Sequence, residues 1–358
     1  MKNDIAADIK NSFIQADTIN GEAAGESLVV SVGTGAAVGG KAFNGAGSGS
    51  WNDLKNDTKV TFENNTITGK TISEKAESNA SILNIAGEVA GGRGMALGLS
   101  LAYNSLDNTT GTYLTGNTVN LSDAASLALA SANKGTSLAV AAGVDVEASK
   151  SVEGAVGTVA INRGRSNTES VIDGKKVGNT VANTELNGVQ NLSVTATDLT
   201  QKTTAAGAVS AGNAKAGVGG AVAYTAIGSA DDKEMLRAEV NHADITTTES
   251  GKIEVSAADS KTDGTTTEKS RVTTVGAGVG VSWGKNSLNL QGAAAVSEIN
   301  KDNRAALNNT NINVGAAAKH PTIDVAADTK SKINTVGAVG DISVGNFAVG
   351  TVGLASTA

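Results

Sequence analysis

The sequence has no cysteine, one proline (Pro321) and few aromatic residues, which make up 3% of its 358 residues. Without cysteine, the chain has no disulfide, no thiol nucleophile and no cysteine-ligated zinc. A compact globular enzyme of this length normally uses many aromatic rings to fill its interior, because each ring buries a large area. Hydrophobic residues still reach 40%, mostly as Ala, Val, Leu and Ile. We therefore expect a thin core of small aliphatic side chains.

Long apolar runs and blocks of like charge are also missing. No run of about 18 apolar residues occurs, so no transmembrane segment is expected. The N-terminus begins Met1-Lys2-Asn3-Asp4 and has no hydrophobic signal core, which favours an internal piece of a longer chain. The net charge of −7 is spread along the sequence, whereas nucleic-acid-binding surfaces need clustered Lys and Arg. Nucleic-acid binding is therefore not expected.

A short phrase of polar and apolar residues recurs six times, and it is the strongest internal signal. Successive copies lie 53, 52, 67, 59 and 67 residues apart, and they end at Ile14, Ile67, Val119, Leu186, Ile245 and Ile312. The approximate repeats are 1–57, 58–110, 111–179, 180–234, 235–303 and 304–358. Such self-similarity predicts stacked copies of one structural unit.

Alternating runs within the repeats predict short strands with one buried face. Three near copies are Leu192–Asp198, Ile253–Asp259 and Ile323–Asp328, and the Asp that closes each copy suits a turn. A second kind of run, Val275–Trp283, places Val, Ala and Trp on a packed face and Gly and Ser on a nearly bare one. Bare glycine faces suit close stacking of sheets or a tight bend. The best helical signal, Asp231–Ala238, is short enough to be a protruding loop.

These patterns predict an all-β fold, a single β-solenoid over residues 1–358 that is an elongated single-domain rod of degenerate repeats. With about 20 to 30 residues per coil, each repeat would supply two or three coils. About 12 to 18 coils at the usual strand spacing would give a rod roughly 60 to 85 Å long. The differences in repeat length would fall in turns at Gly111–Gly116, Asp173–Asn179 and Lys261–Lys269. Unpaired edge strands would favour end-to-end self-association.

Two groups of phrases carry a family resemblance: Ala-x-Ile-x-Asn-Ser-x-Ile at Ala7–Ile14, and Ile-Ala-Gly-x-Val-Ala-Gly-Gly with Ser-Leu-Ala-Tyr-Asn between Ile85 and Asn104. In these phrases the chain resembles, along nearly its whole length, the leukotoxin-type filamentous adhesins of anaerobic Gram-negative bacteria. The resemblance implies a right-handed parallel β-helix passenger of type V secretion, secreted or displayed on the outer-membrane surface. It also implies a stalk or adhesion surface that meets a host cell-surface protein or glycan.

No residue pattern predicts a catalytic, cofactor-binding or metal site, so we expect neither an enzyme nor a cofactor. His242 has Asp244 nearby, but neither it nor His320 belongs to a metal-ligand spacing. Gly280-Val-Ser-Trp-Gly284 matches a nucleophile elbow around Ser282, but it lies within a strand pattern instead of a strand–turn–helix. The glycine runs at Gly92–Gly98 and Gly276–Gly280 lack the helix and acidic residue of a dinucleotide site.

Two alternatives to an adhesion role stay open. A polysaccharide-active β-helix enzyme would need paired acids, for which Asp231, Asp232 and Glu234 are candidates, although a solvated polar insert is the simpler interpretation. An outer-membrane β-barrel would need aromatic girdles that so few rings cannot supply. The largest rings are candidate adhesion contacts if exposed, but most are expected to plug the interior or cap an end: Trp51, Trp283, Tyr103, Tyr113 and Tyr224.

Overall fold

The computed structural model describes residues 1–39, 42–148, 153–213, 216–263, 265–283, 288–314, 320–344 and 352–357. These residues form strands and no helix. The strands are β1 (Lys2–Lys10), β2 (Phe13–Gln15), β3 (Thr18–Val38), β4 (Phe43–Glu63), β5 (Thr66–Gly92), β6 (Met95–Thr115), β7 (Thr118–Asn133), β8 (Thr136–Glu147), β9 (Glu153–Arg163), β10 (Ser166–Asp173), β11 (Lys175–Val177), β12 (Thr180–Ala182), β13 (Thr184–Asp198), β14 (Gln201–Gly212), β15 (Ala216–Ile227), β16 (Glu234–Asn241), β17 (Ala243–Ala258), β18 (Ser260–Asp263), β19 (Thr266–Lys269), β20 (Arg271–Trp283), β21 (Leu288–Ile299), β22 (Lys301–Asn308), β23 (Asn311–Val314), β24 (Thr322–Asp328), β25 (Lys332–Val344) and β26 (Val352–Thr357).

Two parallel sheets face each other across a shared core. Sheet 1 has the order β22-β16-β10-β6-β9-β15-β21-β26, with β4 beside β6 and β1 beside β4. Sheet 2 has the order β23-β17-β13-β7-β5-β8-β14-β20-β25, with β2 and β3 beside β5, and β24 beside β17. The all-β, parallel and stacked character predicted from the repeats is thus confirmed.

The six phrases of the sequence stack on one another, and the last residue of each lies in sheet 2. Their last residues form one ladder in register, from Ile14 through Ile67, Val119, Leu186 and Ile245 to Ile312. Their side chains pack into the aliphatic core, because each anchor falls on the inward phase of its strand. Each sequence interval is therefore one complete coil.

The predicted two or three coils per repeat, and the long rod built from them, are wrong. Alternation continues through glycine without a turn signal, so β5 extends for 27 residues, which is about 90 Å of strand. Six levels at the usual strand spacing make a stack only about 24 Å high. The coil is therefore long and flat, and its strands are longer than the stack is tall.

Left-handed residues directly follow five strands of sheet 1, namely β1, β4, β6, β16 and β22. Asn11, Asn64, His242 and Asn309 have φ values of 51°, 55°, 49° and 47°, and Gly116 has a φ of 62°. Asn tolerates this backbone region better than most residues because its short polar side chain can hydrogen-bond locally. At one corner, the Asn65 backbone N–H donates to the Asn117 Oδ1 atom of the next level at 2.8 Å.

Extra residues are accommodated as small hairpins. The antiparallel pairs β11–β12 and β18–β19 occupy two of the three predicted sites of length variation, Asp173–Asn179 and Lys261–Lys269. The third prediction, Gly111–Gly116, is wrong because β6 continues to Thr115 before the chain turns. The segment Asp231–Ala238 forms no helix; a short loop leads into β16 at Glu234.

The side chains that pack between the two sheets differ in size along the length of the strands. One half contains Ile, Leu, Val and Phe62, whereas the other half contains mostly Ala and Gly. A Cβ on Gly276 would lie 2.5 Å from the Ala294 carbonyl oxygen of the facing sheet, so only glycine allows this approach. Close stacking of glycine faces is thus confirmed, and the aliphatic face of Val275–Trp283 points outward instead of into the core.

Candidate binding site on the outer face of sheet 1

An aromatic row crosses the outer face of sheet 1. Trp51, Tyr103, Ile161 and Tyr224 occupy equivalent positions on four neighbouring strands, β4, β6, β9 and β15. The Trp51 and Tyr103 rings stack with centroids 3.8 Å apart and an interplanar angle of 19°. Trp51 is 66% exposed whereas Tyr103 is buried and Ile161 interrupts the row, so the π surface offered to solvent at this end is that of Trp51.

The five large rings singled out in the sequence all lie on outward phases of their strands. Trp283 is 46% exposed on sheet 2, and the Tyr113 hydroxyl donates to Glu169 Oε2 at 2.9 Å. The interpretation that most of these rings plug the interior is therefore wrong. The inward positions next to Trp51 and Tyr103 hold the buried Asn52 and Asn104, and Asn84 of sheet 2 donates to the Tyr103 carbonyl at 2.9 Å.

A pocket of about 330 Å³ lies at the end of the aromatic row. It is formed where β9 passes into β10 and where β15 passes into β16, and its lining includes Tyr224 and both charge types. The charged residues around it are Asp107, Arg163, Arg165, Asp232 and Glu298. A concave site of this size with a few convergent polar groups suits a small ligand group.

Glycine shapes the floor of this pocket. Gly164 and Gly228 have φ values of +128° and +62°, and the Gly228 N–H donates to the Gly164 carbonyl at 3.2 Å. A Cβ on Gly164 would lie 2.1 Å from the Leu106 carbonyl oxygen, so a larger residue would displace the corner. Beyond Gly228, the Asp232 N–H donates to Ser229 Oγ at 3.0 Å, which fixes the loop at the pocket rim.

The charged groups of the pocket are paired, with one exception. Arg165 forms an ion pair with Asp232, and its backbone N–H donates to Asp107 Oδ1 at 3.2 Å. The Arg163 guanidinium carbon lies 5.2 Å from the centre of the Tyr103 ring, and within the described residues it forms no ion pair. Arg163 is thus a cation on an aromatic platform that is available to an anionic ligand group.

Tyr224 joins the aromatic row to the acidic rim. Its hydroxyl donates to Glu298 Oε2 at 2.8 Å, and partial burial together with this hydrogen bond raises the pKa of the Tyr224 phenol. The ring is therefore a neutral hydrogen-bonding surface throughout the physiological range. It can pack against an apolar or ring-shaped ligand face while Arg163 meets a negative charge.

A buried lysine supports the pocket floor from inside. Lys202 Nζ donates to the carbonyl oxygens of Gly164 and Ala226, at 2.6 and 3.4 Å, and both of those residues line the pocket. Burial lowers the pKa of Lys202 to about 8, although the negative charge of Glu234 opposes the shift. The pocket floor is therefore hydrogen-bonded to an amino group whose pKa is lowered to about 8 by burial.

A second buried lysine, Lys301, holds two carboxylates together near Lys202. Its Nζ lies 2.8 Å from Glu234 Oε1, 3.0 Å from Asp198 Oδ2 and 3.2 Å from Ser270 Oγ. Burial alone would lower the pKa of Lys301, but the two carboxylates outweigh burial and raise it. For Asp198, burial would raise the pKa, and the Lys301 charge with hydrogen bonds lowers it instead.

The interpretation of Asp231, Asp232 and Glu234 as a solvated polar insert is wrong for Glu234. Asp231 and Asp232 are exposed, but Glu234 is buried, and its Oε2 accepts from the Ser166 N–H at 2.7 Å. Burial, with the nearby Asp198 charge, raises the pKa of Glu234 to about 7 against the effect of Lys301. Sequence inspection missed Lys202, which is detectable as a charged residue on the inward phase of an alternating strand.

The remaining sequence candidates do not converge on a site. His242 Nδ1 lies 3.0 Å from Asp173 Oδ1, whereas Asp244 accepts hydrogen bonds from two Asn side chains. His320 is exposed, and Ser282 is buried on the inner face of β20 with no helix after it in the described residues. Within the described ranges, no group of three or more His, Cys, Asp or Glu could hold a metal ion. No helix there is long and apolar enough to cross a membrane.

Comparison with known proteins yields no relative for this chain. No protein-family model matches it, and neither does any curated protein or solved structure.

Proposed function

We propose that this chain is a repeat segment of a bacterial cell-surface or secreted adhesin or toxin-like protein, which acts as a stalk and a host-cell adhesion surface by binding and not by catalysis. The stacked parallel coils support the stalk role, because each level adds surface without a new core. The outer aromatic row with the unpaired Arg163 beside it is the single observation that carries the adhesion role.

The proposal also covers the handedness of the coil, the secretion route and the continuity of the solenoid. The coil is taken to be right-handed, because crossovers between parallel strands of one sheet are right-handed in about 98% of cases. The resemblance to leukotoxin-type filamentous adhesins supports a passenger of type V secretion that is secreted or displayed at the outer-membrane surface. It also supports one continuous solenoid over residues 1–358, within a longer passenger.

The pocket chemistry favours an acidic glycan over a protein as the ligand. A stable protein interface usually buries at least about 1,200 Å², whereas a pocket of about 330 Å³ suits one or two small rings. The apolar face of a sugar ring can pack on Tyr224 or Trp51, and a carboxylate or sulfate can meet Arg163. Such a ligand would contact both an aromatic ring and the arginine that has no ion-pair partner among the described residues.

Binding of acidic and neutral oligosaccharides, measured by calorimetry with the purified chain, tests this proposal. Arg163→Ala should weaken binding of an acidic glycan by at least about tenfold, as expected for a lost charged hydrogen bond. Arg271→Ala is the matched control, because Arg271 is an exposed arginine on sheet 2. Equal binding by both variants, or no acidic glycan bound by the unaltered chain, would contradict this assignment.

A polysaccharide-cleaving activity is the second candidate, and the pKa of about 7 at Glu234 favours it. Its carboxylate, however, is engaged by Lys301 and Ser166 and is buried below the pocket floor. Incubation with acidic polysaccharides, followed by chromatography of released oligosaccharides, separates the two candidates. Release that disappears in Glu234→Gln would establish the enzyme and overturn the binding-only role.

A further inference from the structure

The outer face of sheet 2 carries an uncharged surface, here named the valine face. It consists of the five outward residues on each of six neighbouring strand segments: Val30–Val38, Leu83–Gly91, Leu138–Val146, Thr203–Ala211, Thr273–Val281 and Asn334–Ile342. These positions hold Val, Ile, Leu, Ala, Gly, Thr and Asn, and not one carries a charge. Three acidic residues belong to the same segments but lie on the inward phase of their strands: Glu88, Asp145 and Asp341.

The valine face is distinct from the rest of its own sheet. Outward positions elsewhere in sheet 2 carry paired charges, such as Lys75 with Glu77 further along β5 and Lys252 with Glu254 on β17. Within the valine face, Val32, Val89 and Val279 are 63%, 43% and 40% exposed. Parallel sheets are normally covered on both faces, which makes an open apolar face on this sheet unusual.

Its size fits a protein interface. Eight residue steps along the strands and five strand spacings across them give a face of about 27 by 24 Å, or about 650 Å². The largest apolar patch of a typical monomer covers about 300–600 Å². Two such faces packed together would bury about 1,300 Å², which lies within the standard range for stable complexes.

We propose that two copies of this chain pack their valine faces together in a twofold-symmetric dimer. Across the strands, a row of small residues that runs from Thr34 and Gly87 to Ala338 lies between two rows rich in Val. The rows of a second copy can therefore interdigitate with these rows at the usual sheet-to-sheet distance of about 10 Å. One patch meeting itself is the arrangement that a twofold dimer requires. A lipid surface suits the face less well, because it cannot satisfy the open backbone edges of β3 and β25 beside it.

Sedimentation velocity of the full chain from about 1 to 100 µM tests the dimer. The unaltered chain should pass from monomer to dimer as its concentration rises. Val89→Lys should raise the dissociation constant at least about a hundredfold, because each copy would bury an unpaired ammonium group. Asn79→Lys is the matched control, since Asn79 is exposed on the same face of β5, outside the valine face.

Far-UV circular dichroism first establishes that both lysine variants are folded. If Val89→Lys is not, the double variant Val89→Thr/Val279→Thr replaces it, because Thr keeps the β-branched shape and adds only a hydroxyl. A monomer at every concentration overturns the proposal. So does a dimer that Val89→Lys leaves intact, or a monomer that floats with phosphatidylcholine vesicles, which would assign the face to lipid.

Discussion

Replacing Lys301 by methionine should strongly destabilise the chain. Lys301 is the cation shared by Asp198 and Glu234, and both carboxylates have 1% exposed side chains. Methionine keeps the length of the side chain but leaves the two acids with Lys202 as the nearby cation, and the Lys202 ammonium group donates to the Gly164 and Ala226 carbonyls instead. Removing one partner of a buried ion pair typically costs about 3 to 5 kcal/mol in the free energy of unfolding.

The penalty should depend on pH in a defined direction. Removing the Lys301 charge raises the pKa of Glu234 further above about 7. A carboxyl group whose folded-state pKa exceeds its unfolded value contributes stability that is complete below the unfolded pKa and is lost as pH rises through the folded pKa. Lys301→Met should therefore cost more at about pH 8 than at about pH 5, because Glu234 takes up a proton in acid.

Urea unfolding followed by circular dichroism at both pH values measures the effect. Glu234→Gln added to Lys301→Met should recover about 1 to 2 kcal/mol, because one of the stranded charges is gone. Lys55→Met is the control, since Lys55 is exposed on sheet 1 and should change stability by less than about 0.5 kcal/mol. A penalty below about 1 kcal/mol, or one independent of pH, would refute the reasoning.

Three further outcomes follow from other parts of the molecule. Burial raises the pKa values of Glu88 and Asp145 to about 7, so their contribution to stability is lost as pH rises through that value. Glu88→Gln should therefore raise the melting temperature at about pH 8 and flatten the dependence of the melting temperature on pH. An unchanged pH profile would argue against burial of Glu88 as the origin of this dependence. Gly276→Ala should cost about 1 to 3 kcal/mol by overpacking against the facing backbone, whereas Gly207→Ala, which meets nothing within 4 Å, should be neutral in the same urea titration. Unpaired edge strands should give end-to-end association of the Val89→Lys variant only above about 100 µM, beyond the concentrations at which the valine-face dimer forms; light scattering from a variant that stays monomeric there would count against it.

The stacking of the coils was predictable from the sequence, but their size was not. Anchors such as Ile67 and Val119 recur at intervals that equal the register offsets, because a parallel ladder places equivalent residues side by side. Apart from His242, the left-handed residues at the turning points are Asn and Gly, and a chain with 44 glycines offers many equally suitable candidates. The prediction of about 20 to 30 residues per coil was therefore too short.

The candidate site was predictable only in part. Trp51 and Tyr103 were recognisable as rare rings, but their stacking depends on register between strands 52 residues apart. The Lys301–Asp198 contact joins residues separated by 103 positions, across coils and between the two sheets. No local pattern encodes such a distance, although a lysine on the inward phase of a strand signals that a buried partner must exist.

The hairpins β11–β12 and β18–β19 have a consequence for how such a chain can evolve. Each lengthens its repeat, yet the strands that flank it stay in register with the levels on either side. Repeat length and ladder register are therefore independent, since only the strand segments have to match. Unequal recombination between copies would still produce a level that fits its neighbours, so the stack can gain or lose whole repeats while new sequence accumulates at its corners.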